Sequence, residues 1–431
     1  METQPHRYDW RSILLLIYSL ASAFIALGMA AALLGAILLN RRSLDVPAPL
    51  SSILGATTLI AIGLLLLPAG VLSWQRLNGR IFESFQLPRL SAWGWIVLSL
   101  LWIVVLILAG LFFDGSGAAW YLPFLHFLAV AIPVYLLVRV TIHTIPLGSI
   151  QRVWAVFESG YSLSLLLAII LETLMVALAI ILLAIFIGLN PERLAEMQRL
   201  ATRIEAAGDA EALIRMLGPF LRNPLTLLGA LGFLSVFVPI VEELAKSIGV
   251  WLVVDRLRSP AQGFALGLLS GAGFALAESL SATLTPDGTW VLSFMTRAVS
   301  SCMHMLASGL AGMGISYLRL ERNLLKMTFL TCLAILLHAS WNAGAILMVY
   351  GGLRITLDLP QVNFAGILLG ITGIGLLLVL GSGMLVALVL TNLRPGKILL
   401  TAVSGPQGSS VDQRHDRHEL PAPGAGGSGL E

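Results

Sequence analysis

Ten stretches of this chain are apolar for longer than the ~20 residues a helix needs to cross the hydrocarbon core of a bilayer. Their cores lie at 12–39, 51–73, 93–113, 121–142, 161–188, 225–254, 261–284, 291–316, 327–350 and 364–391. No water is present at that depth to satisfy exposed backbone groups, so only helices or closed barrels span it. Runs this long and continuous predict helices, and the expected fold class is an all-α, polytopic membrane bundle of about ten spans. Composition agrees, with 57% hydrophobic and 11% charged residues against about 25% charged in soluble domains. A net charge of +3 is too small to suggest nucleic acid. Cys302 and Cys332 both fall inside apolar spans and offer no disulfide framework. The first run is too long for the apolar part of a cleaved signal peptide and is expected to be a retained anchor.

Lysine and arginine collect in alternate loops, which predicts orientation. Arg7 and Arg11 precede the first span; Arg76, Arg80 and Arg89 follow the second; Arg152 follows the fourth; Arg256 and Arg258 follow the sixth. Arg319, Arg322 and Lys326 follow the eighth, and Arg394 and Lys397 the tenth. Arg41 and Arg42 break the pattern, but both termini are expected to be cytoplasmic. The expected organisation is a four-span module over 1–155, a six-span core over 156–393 and a disordered tail over 394–431, where Gly, Pro, Ser and charge accumulate. The last residues of the tail, GAGGSGLE, read as a cloning remnant. Between the fifth and sixth spans lies a polar loop, 190–223. It opens on Asn190 and Pro191, suited to the start of a helix. Leu194, Met197, Ala201 and Ile204 then recur at helical spacing, which predicts an amphipathic helix on the outer surface or a solvated connector.

Ionisable residues inside the spans carry the functional signal, because charge at bilayer depth costs several kcal/mol and is usually functional where it persists. Glu242, Glu243 and Lys246 fall in VPIVEELAKSIG, Glu278 in GFALAESL, His304 in SSCMHMLASG, and His338 with Asn342 in LLHASWNAG. Spacings of three and four put Lys246 on one helical face with both glutamates. The lysine can partner one carboxylate while the other faces elsewhere, which either tunes a general base or makes a structural ion pair. Pro239 either kinks its helix or starts a fresh segment with the glutamates in its first turn. Gly263, Gly267 and Gly271, four apart, allow close helix contact beside Glu278. Arg297 is seven residues before His304, on roughly the same face. His304 lies about 20 Å and His338 about 18 Å from the outer ends of their spans, at 1.5 Å per residue. His338 and Asn342, one turn apart, can both donate to a developing oxyanion. His126 reads as a hydrogen-bonded packing residue, and Glu172 as an interhelical hydrogen-bonding group.

These residues resemble the PrsW-like intramembrane proteases and, more distantly, the CAAX-prenyl endopeptidase and bacteriocin-processing superfamily. The matching pieces are E-E-x-x-K at Glu242, Glu243 and Lys246; F-x-x-x-E from Phe274 to Glu278; His304; and H-x-x-x-N from His338 to Asn342. They fall in that order on four successive spans, within roughly 225–350. The resemblance implies hydrolysis of a peptide bond of a membrane-protein substrate in the lipid bilayer, in a prokaryotic plasma membrane. Glu242 would activate water, Glu278 would assist, and His338 with Asn342 would form the oxyanion site; Glu243 counts among the catalytic residues without a separate task. Lys246, Phe274 and Arg297 would support them, and His304 fits the branch without an assigned task. PrsW-like members often carry aspartate at the position of Asn342. The expectation is a glutamate mechanism without a metal. The alternative is a zinc site on Glu278, His304 and His338 with Glu242 as base, although no H-E-x-x-H helix is present. A proton-coupled transporter using a Glu/His relay is the competing function, and an inactive scaffold is the third. A single cavity ringed by these side chains would favour hydrolysis.

Overall fold

Glycine lets two helices at the centre of this protein approach until their backbones touch. In the computed structural model, the helix Pro260–Ala282 crosses the helix Trp290–Glu321 at Gly263, Gly267 and Gly271. A methyl group on Gly267 would collide with the carbonyl of Ser308 and the Cα of Gly312, and one on Gly271 with the carbonyl of His304. This is the small-residue packing on which helices in lipid rely, where apolar surface alone gives no preference for a protein neighbour. Both helices are almost entirely buried, and the others surround them.

The structure describes residues 10–393, except 45–48, 81, 83–84, 86, 88, 115–116, 206–215, 217, 221, 358–360 and 362. The chain is all-helical. In order the helices are α1 (Trp10–Leu44), α2 (Leu50–Leu77), α3 (Ala92–Phe112), α4 (Ala118–Ile142), α5 (Ile150–Glu158), α6 (Leu165–Gly188) and α7 (Pro191–Glu205). Then follow α8 (Pro224–Ala230), α9 (Val238–Trp251), α10 (Pro260–Ala282), α11 (Trp290–Glu321), α12 (Leu324–Leu357) and α13 (Phe364–Leu393). Ten helical segments among the described residues are long and apolar enough to span a membrane, in the order expected from sequence. The protein is an integral, multi-pass membrane protein. Large apolar side chains such as Phe24, Ile107, Leu182 and Val379 point outward, as a lipid-facing surface requires.

The fifth span differs from expectation. Its helix begins at Ile150, well before the apolar core, because Ser149 caps it by accepting from the Arg152 amide. It then passes through a π-helical turn, Ser159–Ser164, into α6. Ser164 fixes that turn by donating to the carbonyls of Ser159 and Ala245, both at 2.9 Å. A second π-helical turn, Leu231–Phe237, joins α8 to α9. Pro239 therefore lies inside a continuous helix, and the α9 glutamates do not sit at a fresh N-terminus. The polar loop does form a helix at its start, α7, with Glu192 in the first turn and Arg203 in the last. The remainder of that loop is largely outside the described residues, as is the predicted tail, 394–431.

His126 behaves as a packing residue. Its Nε2 lies 2.8 Å from the Thr283 hydroxyl and its ring stacks on Trp290. Cys302 is buried and Cys332 exposed, and both are free thiols.

Candidate active site

Four central helices each contribute to one cluster. From α9 come Glu242, Glu243 and Lys246; from α10, Phe274 and Glu278; from α11, His304; and from α12, His338. Ser270 on α10 donates to the backbone carbonyl of Lys246 at 2.7 Å, which ties the two helices together at the level of the cluster. Lys246 and Glu243 are fully buried, and Glu242, His304 and His338 nearly so.

Lys246 is the hub. Its Nζ donates to Glu242 Oε2 at 2.8 Å and to Glu243 Oε1 at 2.9 Å, so it holds both carboxylates rather than one. It also lies 2.8 Å from Nδ1 of His304 and 4.1 Å from the centre of the Phe274 ring. The aromatic residue of F-x-x-x-E thus offers its π face to the ammonium.

Each histidine is held by a carboxylate. His304 Nε2 lies 2.8 Å from Glu278 Oε2, and Glu278 is also ion-paired with Arg297. His338 Nδ1 lies 2.9 Å from Glu243 Oε1. A carboxylate accepts, so the protonated nitrogens are Nε2 of His304 and Nδ1 of His338. The remaining ring nitrogens face Glu242 Oε2, at 3.9 Å for His304 Nδ1 and 3.8 Å for His338 Nε2. The rings stand nearly perpendicular, 5.0 Å apart.

The cluster opens onto a cavity of about 510 Å³ whose walls include Glu242, Glu278, His304, His338, Trp341 and Asn342. Five of the six residues expected to be catalytic therefore meet at one cavity. The sixth, Glu243, lies behind it. Asn342 donates from Nδ2 to the carbonyl of Leu234 at 2.8 Å, inside the second π-helical turn. In a π-helical register the donor to Leu234 would be the residue five on, which is Pro239 and has no N–H; Asn342 supplies one.

Two residues of the site escape sequence reasoning. Ser308 donates to Glu243 Oε2 at 3.2 Å; its position four residues after His304, on the same face, is the signal that could have identified it. Glu172 was expected to bond between helices. Instead it lines the cavity, and its Oε1 has no hydrogen-bond partner among the described residues. No motif surrounds it in the sequence.

The donor set fits a divalent cation. Glu242, His304 and His338 each place one ligand-type atom within 4.8 Å of the others. Each imidazole has its second nitrogen anchored by a carboxylate, the arrangement that orients histidine ligands. Three carboxylates, Glu242, Glu243 and Glu278, face two permanent cations, Lys246 and Arg297. With both imidazoles neutral, one negative charge is left over. Glu242 Oε2 and His304 Nδ1 both accept from Lys246 at 2.8 Å, so an ion held there would displace the ammonium from those two atoms. This trio differs from the ligand set expected from sequence in one member: it has Glu242 where Glu278 was expected, and Glu278 Oε2 lies 2.8 Å from His304 Nε2.

A family model described as PrsW family intramembrane metalloprotease matches residues 148–372. That stretch is just over half of the chain and contains every residue of the cluster. No curated protein and no solved structure matches the chain.

Proposed function

The chain belongs to the PrsW family of intramembrane proteases, and from that premise we propose that it hydrolyses a peptide bond of a membrane-protein substrate with Glu242 as the proton-accepting group. The observation that carries this is the position of Glu242. Among the three clustered carboxylates, Glu243 is sealed behind the cavity and Glu278 is engaged by both Arg297 and His304. Glu242 lines the cavity with its Oε2 facing both imidazoles.

In the proposed reaction, a water in the cavity gives a proton to the Glu242 carboxylate as its oxygen attacks the peptide carbonyl. The developing oxyanion lies towards the amide of Asn342, a donor at the cavity wall, where donors aimed at developing charge lower the barrier most. Collapse of the tetrahedral adduct breaks the C–N bond, and the proton held by Glu242 passes to the leaving amine. Lys246 balances charge on Glu242 and Glu243 throughout. Glu243 and Glu278 keep the two imidazole rings oriented.

A metal-dependent version draws support from the donor set and from the family description. Glu242, His304 and His338 would hold the ion, which when bound would polarise the carbonyl and acidify its water.

The test compares membranes from cells expressing the wild-type chain or Glu242→Gln, with protein N-termini profiled by mass spectrometry. New termini within or beside membrane spans should appear only with the wild type. Identical termini in both, from equally expressed and folded protein, would reject Glu242 as the base.

A further inference from the structure

One wall of the catalytic cavity carries an ionisable group that the proposed reaction does not use. Ile169, Glu172, Thr173 and Val176 share a face of α6 and line the cavity from that side. Trp341 and Asn342 of α12 line it as well, with Glu242 and His304 between the helices. Glu172 is the one ionisable residue of α6, whose sequence is otherwise apolar except for Thr173. Leu171, Leu174 and Leu178 beside it are exposed on the outer surface, so this helix stands between the cavity and the lipid.

The other carboxylates and the amide on the cavity wall are already engaged. Glu242 accepts from Lys246 at 2.8 Å, Glu278 faces His304 and Arg297, and Asn342 donates to the Leu234 carbonyl at 2.8 Å. Glu172 is half-buried, and its Oε1 is buried with no hydrogen-bond partner among the described residues. A buried acceptor without a donor costs stability, and an ionisable group at bilayer depth is costly and usually functional where it persists. The terminal torsion of a glutamate is soft, so this carboxyl can turn to meet a donor that enters the cavity.

The substrate brings such a donor. In a transmembrane helix each peptide carbonyl accepts from the N–H four residues on. Attack on one carbonyl requires that turn to open, which frees backbone N–H groups at a depth where lipid offers them no acceptor. We propose that Glu172 is a substrate-binding residue, accepting a backbone N–H of a locally unwound transmembrane segment and so holding the scissile bond over Glu242. The proposal rests on the reading of this cavity as the site of peptide hydrolysis. Whether ionised or protonated, a carboxyl keeps an oxygen that accepts. A backbone N–H is common to every residue but proline, so this contact selects substrates by how readily their helix opens. Spans with glycine or proline near the cut, which weaken a helix, fit it best.

The test profiles protein N-termini in membranes from cells expressing the wild type, Glu172→Met, Glu172→Gln or Glu242→Gln, with thermal midpoints of the purified proteins in detergent. Glu172→Met keeps the length of the side chain but no oxygen, and should lower the yield of new termini about tenfold. Its midpoint should be no lower than that of the wild type. Glu172→Gln keeps an accepting oxygen and should recover most of the loss. Wild-type yield from Glu172→Met would overturn the proposal. Glu172→Gln as poor as Glu172→Met would also overturn it, assigning the residue a task that needs its charge or its proton. A lowered midpoint in Glu172→Met would do the same, as the mark of a structural group. Termini that persist in Glu242→Gln yet fall in Glu172→Met would reject Glu242 as the base and leave this subsite standing. Wild-type membranes without new termini would overturn both.

Discussion

The ammonium of Lys246 lies 2.8 Å from Nδ1 of His304. An ammonium has donors only, so that nitrogen must accept, and Nε2 carries the proton shared with Glu278. One buried lysine thereby sets the tautomer of a histidine on another helix while neutralising two carboxylates on its own. Removing it leaves Glu243, with no exposed surface, as a buried charge short of its cation. Breaking such a pair costs about 3–5 kcal/mol. Lys246→Met should therefore lower the thermal midpoint in detergent sharply, and adding Glu243→Gln to that variant should recover part of the loss. Equal midpoints for the wild type and Lys246→Met would show that the lysine does not hold the cluster together.

Asn342 is a milder position. It is half-buried at the cavity wall, and its amide reaches one backbone carbonyl. If that amide also serves the oxyanion, Asn342→Ala should reduce cleavage about 10²–10³-fold, the usual effect of removing one such donor, with little change in thermal stability. Rates within a few-fold of wild type would remove Asn342 from the oxyanion site and leave it a brace for the π-helical turn.

Much of the architecture was legible in the sequence, because lipid leaves so few options. Span length, count and order follow from runs of apolar residues. The convergence of Glu242, Glu278, His304 and His338 was legible too, since ionisable groups at bilayer depth have few places to go except towards one another. What sequence spacing does not encode is which ring nitrogen faces which carboxylate. For that reason the expected ligand set had Glu278, whereas the clustered donor trio has Glu242 and Glu278 lies against His304 Nε2. Helical periodicity also misses a π-helical turn, because one extra residue per turn changes no composition. The two turns at 159–164 and 231–237 went unseen for that reason. Glu172 had no neighbours to mark it, and only the packing of α6 beside the cavity brings it into the site.

The expectation of a metal-free site meets its direct test in elemental analysis. Glu242, His304 and His338 form the donor trio. On the metal-dependent version, protein purified without chelator contains about one equivalent of a divalent transition metal, and His304→Ala and His338→Ala lose it. Zinc suits two nitrogens and one oxygen. Loss of His338 should also leave Glu243 with fewer partners, so thermal stability is measured in parallel. Folded wild-type protein that is free of metal and still cleaves substrate would leave the histidines as groups that orient Glu242 and its neighbours only.

Backbone contact between α10 and α11 gives a prediction that reaches the site without touching its chemistry. Gly271 faces the His304 carbonyl so closely that a methyl group there overlaps it. Two backbones cannot yield as a flexible side chain can, so Gly271→Ala must push α11 away from α10 at the level of His304. Overpacking costs typically 1–3 kcal/mol. It would also separate His304 from Glu278, which sits on the other helix at 2.8 Å. A displacement near 1 Å is enough to cost about 100-fold in rate. Cleavage should therefore fall by about that factor in protein that still folds. The control is Gly375→Ala on α13, where a methyl group meets nothing within 4 Å. That change should leave activity intact and, by favouring helix, raise stability by about 0.5–1 kcal/mol. Wild-type activity in Gly271→Ala would mean that the close crossing of α10 and α11 is not what positions His304.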